Sequence, residues 1–166
     1  MTATERIELY GPPPTRHDGA MAEPQDTRRS PTLDKALERR EDLLAAIGAV
    51  ELAISAPTAR ERWLEDVHKA LGHLKRAFHA HLDVTEGEEG LFADVMGVAP
   101  RLAHEIDKLR TEHDEIEHAM DRALGVQMPI QLRDEATSLL GRLVRHRQRG
   151  ADLLYEAYDV DVSVGD

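Results

Sequence analysis

Three histidines of this chain stand where apolar residues are expected on the faces of amphipathic helices. The first ends a run whose members lie three or four positions apart: Val67, Leu71, Leu74, Phe78 and His81. That spacing places side chains on one helix face. His113 and His146 hold equivalent positions in two later segments. The three imidazoles are therefore candidates either for binding a metal ion or for filling a core.

Two features decide between these roles: the positions of the three histidines along the bundle axis, and the presence of carboxylates nearby. A single buried histidine is usually satisfied by a neighbouring carboxylate or carbonyl group, but three of them on three helices of one bundle can share an ion. We expect the three side chains to point inward, no two more than about 10 Å apart, because a shared ion binds nitrogen at roughly 2 Å. The carboxylate candidates are Glu117, which follows His113 by one helical turn, and Glu86, which would turn inward only through a π-bulge near Gly87.

Composition excludes several other kinds of site and partner. The 166 residues include no cysteine, which leaves histidine and carboxylate as the strong metal ligands. The formal net charge of -11 argues against a nucleic-acid partner. No apolar run approaches the roughly 20 residues that span a bilayer, and no signal pattern opens the chain, so we expect no membrane partner and a cytoplasmic location. A protein partner or a homo-oligomer stays open.

Four segments with a helical period must position the histidines. They extend over about 31–55, 59–86, 100–125 and 131–158, and short connections join most of them. This pattern predicts an all-α fold, an antiparallel up-down-up-down four-helix bundle over 30–158. Residues 1–29 are predicted to be a disordered tail and 159–166 a C-terminal tail. Arg40 falls on the apolar stripe of the first segment, where a guanidinium is tolerable only if it is paired and hydrogen-bonded.

The order and spacing of several short motifs resemble the hemerythrin-like (HHE cation-binding) family over residues 33 to 158. The matching strings are His81-Leu-Asp-Val-Thr-Glu-Gly-Glu-Glu-Gly-Leu-Phe, Ala99-Pro-Arg-Leu, Leu109-Arg-Thr-Glu-His113, and a final helix with His146. The resemblance implies an antiparallel four-helix bundle around a non-haem di-iron centre. It also implies that His81, His113 and His146 stand at three of the metal-ligand positions.

The chain departs from the family pattern at three further ligand positions. Arg40 stands where the family has its first-helix histidine, and Gly150 stands where it has the fourth-helix carboxylate. Thr85 replaces the second-helix glutamate, with Glu86 one residue late. The ligands that remain could hold one divalent ion but hardly a di-iron centre.

Two hypotheses of different classes follow. In the first, His81, His113 and His146, with Glu117 or Glu86, hold a single divalent metal with iron as the first candidate, and the resemblance implies oxygen, nitric oxide or redox sensing, or iron handling. In the second, the bundle is a metal-free interaction or regulatory module in which Arg40 reaches the carboxylate of Glu117 or Glu86. Electrostatics favours the second, because losing anionic ligands while gaining a guanidinium weakens a cation site.

An enzyme of the hydrolase or transferase class has little support in the chain. There is no glycine-rich phosphate loop, no nucleophile elbow and no cysteine. We therefore expect a non-enzymatic protein.

Overall fold

The computed structural model describes residues 31–158, and the regular structure in that range is entirely helical. The elements are α1 (Pro31–Ser55), α2 (Trp63–Glu86), α3 (Leu91–Val98), a single 3-10 turn (Pro100–Leu102), α4 (Ala103–Gly125) and α5 (Pro129–Tyr158). The two predicted tails, 1–29 and 159–166, lie outside the described residues. None of the helices in the described range is long and apolar enough to cross a bilayer.

The four long helices pack as an antiparallel bundle, which confirms the predicted fold class. Helix α1 packs on α2, α2 on α4, α4 on α5, and α5 back on α1. Each long helix therefore has two helical neighbours around a common interior. The short α3 and the 3-10 turn connect α2 to α4 and pack against the bundle at that end.

Helix α2 begins at Trp63, four residues later than the sequence pattern predicts. Arg62 precedes it with φ 66° and ψ 8°, a left-handed conformation that cannot continue into a right-handed helix. No side chain caps the helix start. Trp63 is buried, and the guanidinium carbon of Arg133 lies 5.3 Å from the centroid of its ring. The burial of this indole is consistent with a helix that starts here.

The buried stripe of α1 runs along the helix through Leu43. Its apolar members are Leu33, Ala36, Leu43, Ile47, Val50 and Ile54. Arg40 occupies the position between Ala36 and Leu43 at the same alternating spacing, so this arginine belongs to the seam of the helix. The first helix thus presents a guanidinium at a position that would ordinarily hold an apolar side chain.

Two hydrophobic clusters fill the interior, and the three histidines lie between them along the helices. The larger cluster extends from the ends of the helices near Ile54 and Trp63 to Phe78 and Leu143. The smaller cluster is formed around α3 and includes Phe92 and Leu109. The histidine cluster is therefore enclosed by apolar packing at both ends.

Candidate metal centre

The three seam histidines converge in the interior of the bundle. His81 on α2, His113 on α4 and His146 on α5 are 7%, 2% and 4% exposed. One ring nitrogen from each lies within 4.8 Å of the other two, the one such group of potential metal ligands within residues 31–158. The prediction that these side chains point inward at similar heights is confirmed.

The distances between the Nε2 atoms suit ligands of one ion. Nε2 of His113 lies 3.1 Å from Nε2 of His146, which in turn lies 3.5 Å from Nε2 of His81. Two imidazole nitrogens bound to the same divalent ion at roughly 2.0–2.1 Å in tetrahedral geometry are themselves separated by about 3.4 Å. The observed separations bracket that value. The three rings therefore offer three nitrogen ligands to one ion.

Carboxylates hold two of the rings from their outer edges. Nδ1 of His113 is hydrogen-bonded to Oε1 of Glu86, and Nδ1 of His146 lies 3.1 Å from Oε2 of Glu112. A carboxylate only accepts hydrogen bonds, so each Nδ1 donates and carries the ring proton. The Nε2 atoms of the two rings are then left with free lone pairs that face the centre of the cluster.

Glu86 and Glu117, the two predicted carboxylate ligands, take different places. Helix α2 stays α-helical to its end at Glu86, without a π-bulge, and the Glu86 carboxylate contacts the outer nitrogen of His113. It therefore supports a ring of the cluster from behind. Glu117 accepts a hydrogen bond from Nε2 of His79 at 3.0 Å on the exposed surface of the bundle. The structure does not bring Glu117 to the histidine cluster.

Arg40 does not reach the carboxylates predicted to pair with it. Its Nη2 donates to the main-chain oxygen of Arg147 at 3.3 Å, and no carboxylate within the described residues forms an ion pair with it. The prediction that Arg40 contacts Glu86 or Glu117 is wrong. The physical reason is that both carboxylates have histidine partners on their own sides of the bundle.

A small cavity adjoins the cluster. It measures about 30 Å³ and is lined by the three histidines together with Arg40, Arg147 and Gly150. A cavity of that size has the volume of one or two water molecules, and most of its other lining side chains are apolar, among them Leu43 and Leu109. A Cβ atom built on Gly150 would meet nothing within 4 Å, so this position leaves open space beside the histidines.

Thr85, one turn after His81, does not extend the set of ligands toward the cavity. Its hydroxyl donates to the carbonyl oxygen of His81 at 2.8 Å, a bond within its own helix. The hydroxyl is also within 3.2 Å of the carbonyl oxygen of Leu82. A Thr or Ser hydroxyl bound in this way is satisfied by the backbone. The residue therefore fills space at the cavity wall.

Burial keeps the three imidazoles neutral at physiological pH. Burial lowers the pKa of His113 to about 4. Burial, with the nearby His113 and two arginines, lowers the pKa of His146 to about 3. The pKa of His81 is held well below its usual range by burial and by the two neighbouring rings. Neutral imidazole is the form that binds metals.

Aromatic rings pack against the cluster and shield it from bulk solvent. The ring centroid of Phe78 lies 6.2, 5.7 and 6.5 Å from those of His81, His113 and His146. Phe92 stacks on His113 with the ring centroids 5.8 Å apart and the planes 13° from parallel. These contacts fix the orientation of the imidazoles and lower the local dielectric constant, so charges placed there interact strongly.

Sequence reasoning missed two residues of this region, Glu112 and Arg147. Glu112 lies on α4 but contacts His146 on α5, so no spacing within one helix indicates the pair. Arg147 follows the buried Leu143 by one helical turn, a signal that it could face inward, but the charge of its side chain argues for the surface.

No family model, no curated protein and no solved structure matches the chain. Function is therefore inferred from the geometry of the histidine cluster and from the residue pattern.

Proposed function

We propose that this protein is a hemerythrin-like bundle that binds a single divalent metal ion through His81, His113 and His146, with iron as the first candidate and zinc as the second. The observation that carries the proposal is the 3.1 Å contact between Nε2 of His113 and Nε2 of His146. Both rings donate from Nδ1 to carboxylates, and each neutral imidazole has one N–H. Two lone pairs therefore face each other at that distance.

The two Nε2 lone pairs repel each other in the absence of a cation. A cation between them would accept both lone pairs as ligands. The donor set fits such an ion, since three neutral imidazoles in one hemisphere are a common arrangement for zinc and other first-row divalent metals. Glu86 and Glu112 would not touch the ion themselves. Each accepts a hydrogen bond from the Nδ1–H of a histidine, which orients the ring and makes Nε2 a stronger ligand. Their contacts with His113 and His146, which the sequence analysis did not predict, support the metal-binding proposal.

The resemblance to the hemerythrin-like family supports one ion rather than two. It assigns ligand positions to the three histidines, and it leaves Arg40, Thr85 and Gly150 where further ligands would be needed. Thr85 is bonded to its own helix, and a guanidinium cannot donate a lone pair to a metal. A second ion would have few protein ligands.

We propose binding or sensing as the role of the site, in line with the oxygen, nitric oxide, redox and iron-handling functions that the resemblance implies. A bound divalent metal would supply a Lewis acid with open coordination positions. The chain's own residues hold the three nitrogens, shield them from bulk solvent through Phe78 and Phe92, and limit access by the size of the cavity. A cavity of about 30 Å³ suits a ligand of a few atoms and not an organic substrate.

A metal-free interaction module is the second candidate, and the position of Arg40 favours it. The guanidinium lies close enough to the cluster to lower the pKa of His81 and His146 further, after burial and the neighbouring rings. A positive charge there opposes a bound cation. In this alternative the bundle would act through a protein partner or as a homo-oligomer.

Metal content distinguishes the two candidates. The protein would be purified without chelator, analysed for iron and zinc, and titrated with Co(II), whose visible spectrum reports tetrahedral nitrogen ligation. One equivalent of bound metal, lost on replacement of His113 by Ala and retained on replacement of the surface His79 by Ala, is the expected result. Absence of bound metal and of Co(II) uptake at micromolar protein concentration would favour the interaction module. Two bound irons would contradict both candidates.

A further inference from the structure

Two arginines line the cavity beside the histidine cluster, and neither has an anionic partner among the described residues. Arg40 comes from α1 and Arg147 from α5, and both are half-buried. They are joined by the hydrogen bond from Nη2 of Arg40 to the main-chain oxygen of Arg147. Nε of Arg147 is buried without a hydrogen-bond partner. Two like charges therefore stand close together with unused donors.

Such an arrangement is costly unless an anion completes it. A buried or half-buried guanidinium is normally paired and hydrogen-bonded, because removing a charge from water without compensation is unfavourable. The carboxylates of the cluster do not perform this task, since Glu86 contacts His113 and Glu112 contacts His146 and Arg149. A metal ion on three neutral imidazoles would add further positive charge to the same cavity. Both carboxylates are therefore already engaged, and the two guanidiniums are left to water or to a bound anion.

We propose that the cavity binds a small carboxylate-type anion, of the size of formate, held by Arg40 and Arg147 and placed to complete the coordination of an ion on the three histidines. The planar fork of a guanidinium matches the two oxygens of a carboxylate. The cavity of about 30 Å³ and the open space at Gly150 limit the anion to a few heavy atoms. The second half of the inference, the contact with the ion, rests on the proposed function.

The test is a titration of formate at constant ionic strength, read in two preparations. In Co(II)-loaded protein, formate is expected to change the visible spectrum of the metal saturably. In metal-free protein, the line width of 13C-formate in NMR reports binding to the arginines alone, which we expect to be weaker. The variant Arg40→Met replaces the guanidinium by an apolar chain of similar length, and Arg40→Lys keeps the charge without the fork.

The matched control is Arg39→Met, since Arg39 is the neighbouring arginine on α1 but pairs with Asp42 at the surface, 2.7 Å away. We expect Arg40→Met to weaken formate binding at least about tenfold, the usual worth of a charge-assisted hydrogen bond. Arg40→Lys should be intermediate and Arg39→Met unchanged. Thermal melts followed by circular dichroism check that each variant is folded.

The outcomes separate the two proposals. If Co(II) does not bind, the proposed function is wrong, and the 13C-formate measurement still decides whether the arginines bind the anion. If Co(II) binds and formate changes neither the spectrum nor the line width, the inference is wrong while the metal site stands. Equal formate affinity in the parent and in both Arg40 variants would also overturn it.

Discussion

The histidine cluster lies between two groups of charged side chains, carboxylates on one side and guanidiniums on the other. The carboxylates have hydrogen-bonding partners in the cluster, and the guanidiniums have no carboxylate partner among the described residues. On its carboxylate side, Glu86 and Glu112 accept hydrogen bonds from the outer nitrogens of His113 and His146. On its guanidinium side, Arg40 and Arg147 line the cavity and bind no carboxylate of the described residues. Both carboxylates therefore have histidine partners within the protein. The guanidiniums have no such partner, and our proposal is that a ligand supplies it.

The two sides would act differently on a cation bound to the histidines. The carboxylates act through the imidazoles, at the nitrogens that would bind the ion. The guanidiniums act through space and are opposed by any anion that enters the cavity. Removing the carboxylate charge should therefore lower the metal affinity, and removing the guanidinium charge should raise it.

Removal of one histidine should have the largest effect, because both sides depend on the three nitrogens. His146 lies centrally, with its Nε2 at 3.1 Å and 3.5 Å from the other two. We expect His146→Ala to weaken Zn(II) or Co(II) binding by about a hundredfold to a thousandfold, the share of one ligand in a typical site. Competition with a chromogenic chelator measures this. His79→Ala, which removes an exposed histidine, is the control and should leave the affinity unchanged.

Acidification should destabilise the metal-free protein through the same imidazoles. The folded-state pKa values of His113 and His146 are lowered to about 4 and about 3, whereas an unfolded histidine titrates near 6.5. Below pH 6.5 the unfolded chain binds protons that the folded chain does not, so stability falls as pH falls. Above pH 6.5 the two states hold equal protons at these groups.

The expected loss between pH 6.5 and 5.5 is on the order of 2 kcal/mol for the two histidines together. Urea unfolding of chelator-treated protein at several pH values measures it. His146→Leu should flatten the dependence, because it removes one of the two groups. A free energy of unfolding that stays constant or rises on acidification across this range would contradict the buried, neutral state of the pair.

Loss of a carboxylate that contacts a histidine of the cluster should have a smaller effect on metal affinity than loss of one of the histidines. Glu112→Gln keeps the shape of the side chain but removes the charge that holds the Nδ1 proton of His146. We expect a decrease of about tenfold to a hundredfold. The matched control is Glu115→Gln, since Glu115 lies on the same helix and pairs with Arg142 at the surface. Equal affinity in the two variants would show that the carboxylate side has no influence on the ion.

The sequence predicts the fold and the histidine cluster because both depend on spacing within single helices. Alternating steps of three and four residues identify the seams, and His81, His113 and His146 interrupt those seams. Once the helices pack antiparallel, residues on facing seams meet in the interior. The boundaries of α1 and of the C-terminal end of α5 follow from the same period.

The contacts that distinguish the two sides were not predictable in this way. Whether Glu112 reaches His146 depends on the rotation and offset of α4 against α5, which no single segment encodes. The predicted partner of Arg40 was wrong because the sequence does not indicate that Glu86 and Glu117 already have histidine partners. The start of α2 was wrong because a left-handed residue, Arg62, ends the preceding turn.

The smallest predicted effect concerns the guanidinium side, where Arg40→His combined with Gly150→Glu should increase affinity for iron. The double variant removes a positive charge from the cavity and adds a carboxylate at a position where a new Cβ meets no atom within 4 Å. Both changes favour a cation, but neither charge touches the three nitrogens directly. We therefore expect a gain of only about threefold to tenfold, because neither new side chain gains the carboxylate support that orients His113 and His146.

Anaerobic competition for Fe(II) measures the gain in the double variant, and a control with the same residue types isolates its cause. Arg39→His with Gly141→Glu makes the same changes on the same two helices, away from the residues that line the cavity. If both double variants bind Fe(II) equally, the charge of Arg40 does not oppose the ion. If only the cavity variant gains affinity and a second equivalent of iron appears, the guanidinium stands where a further metal would be held.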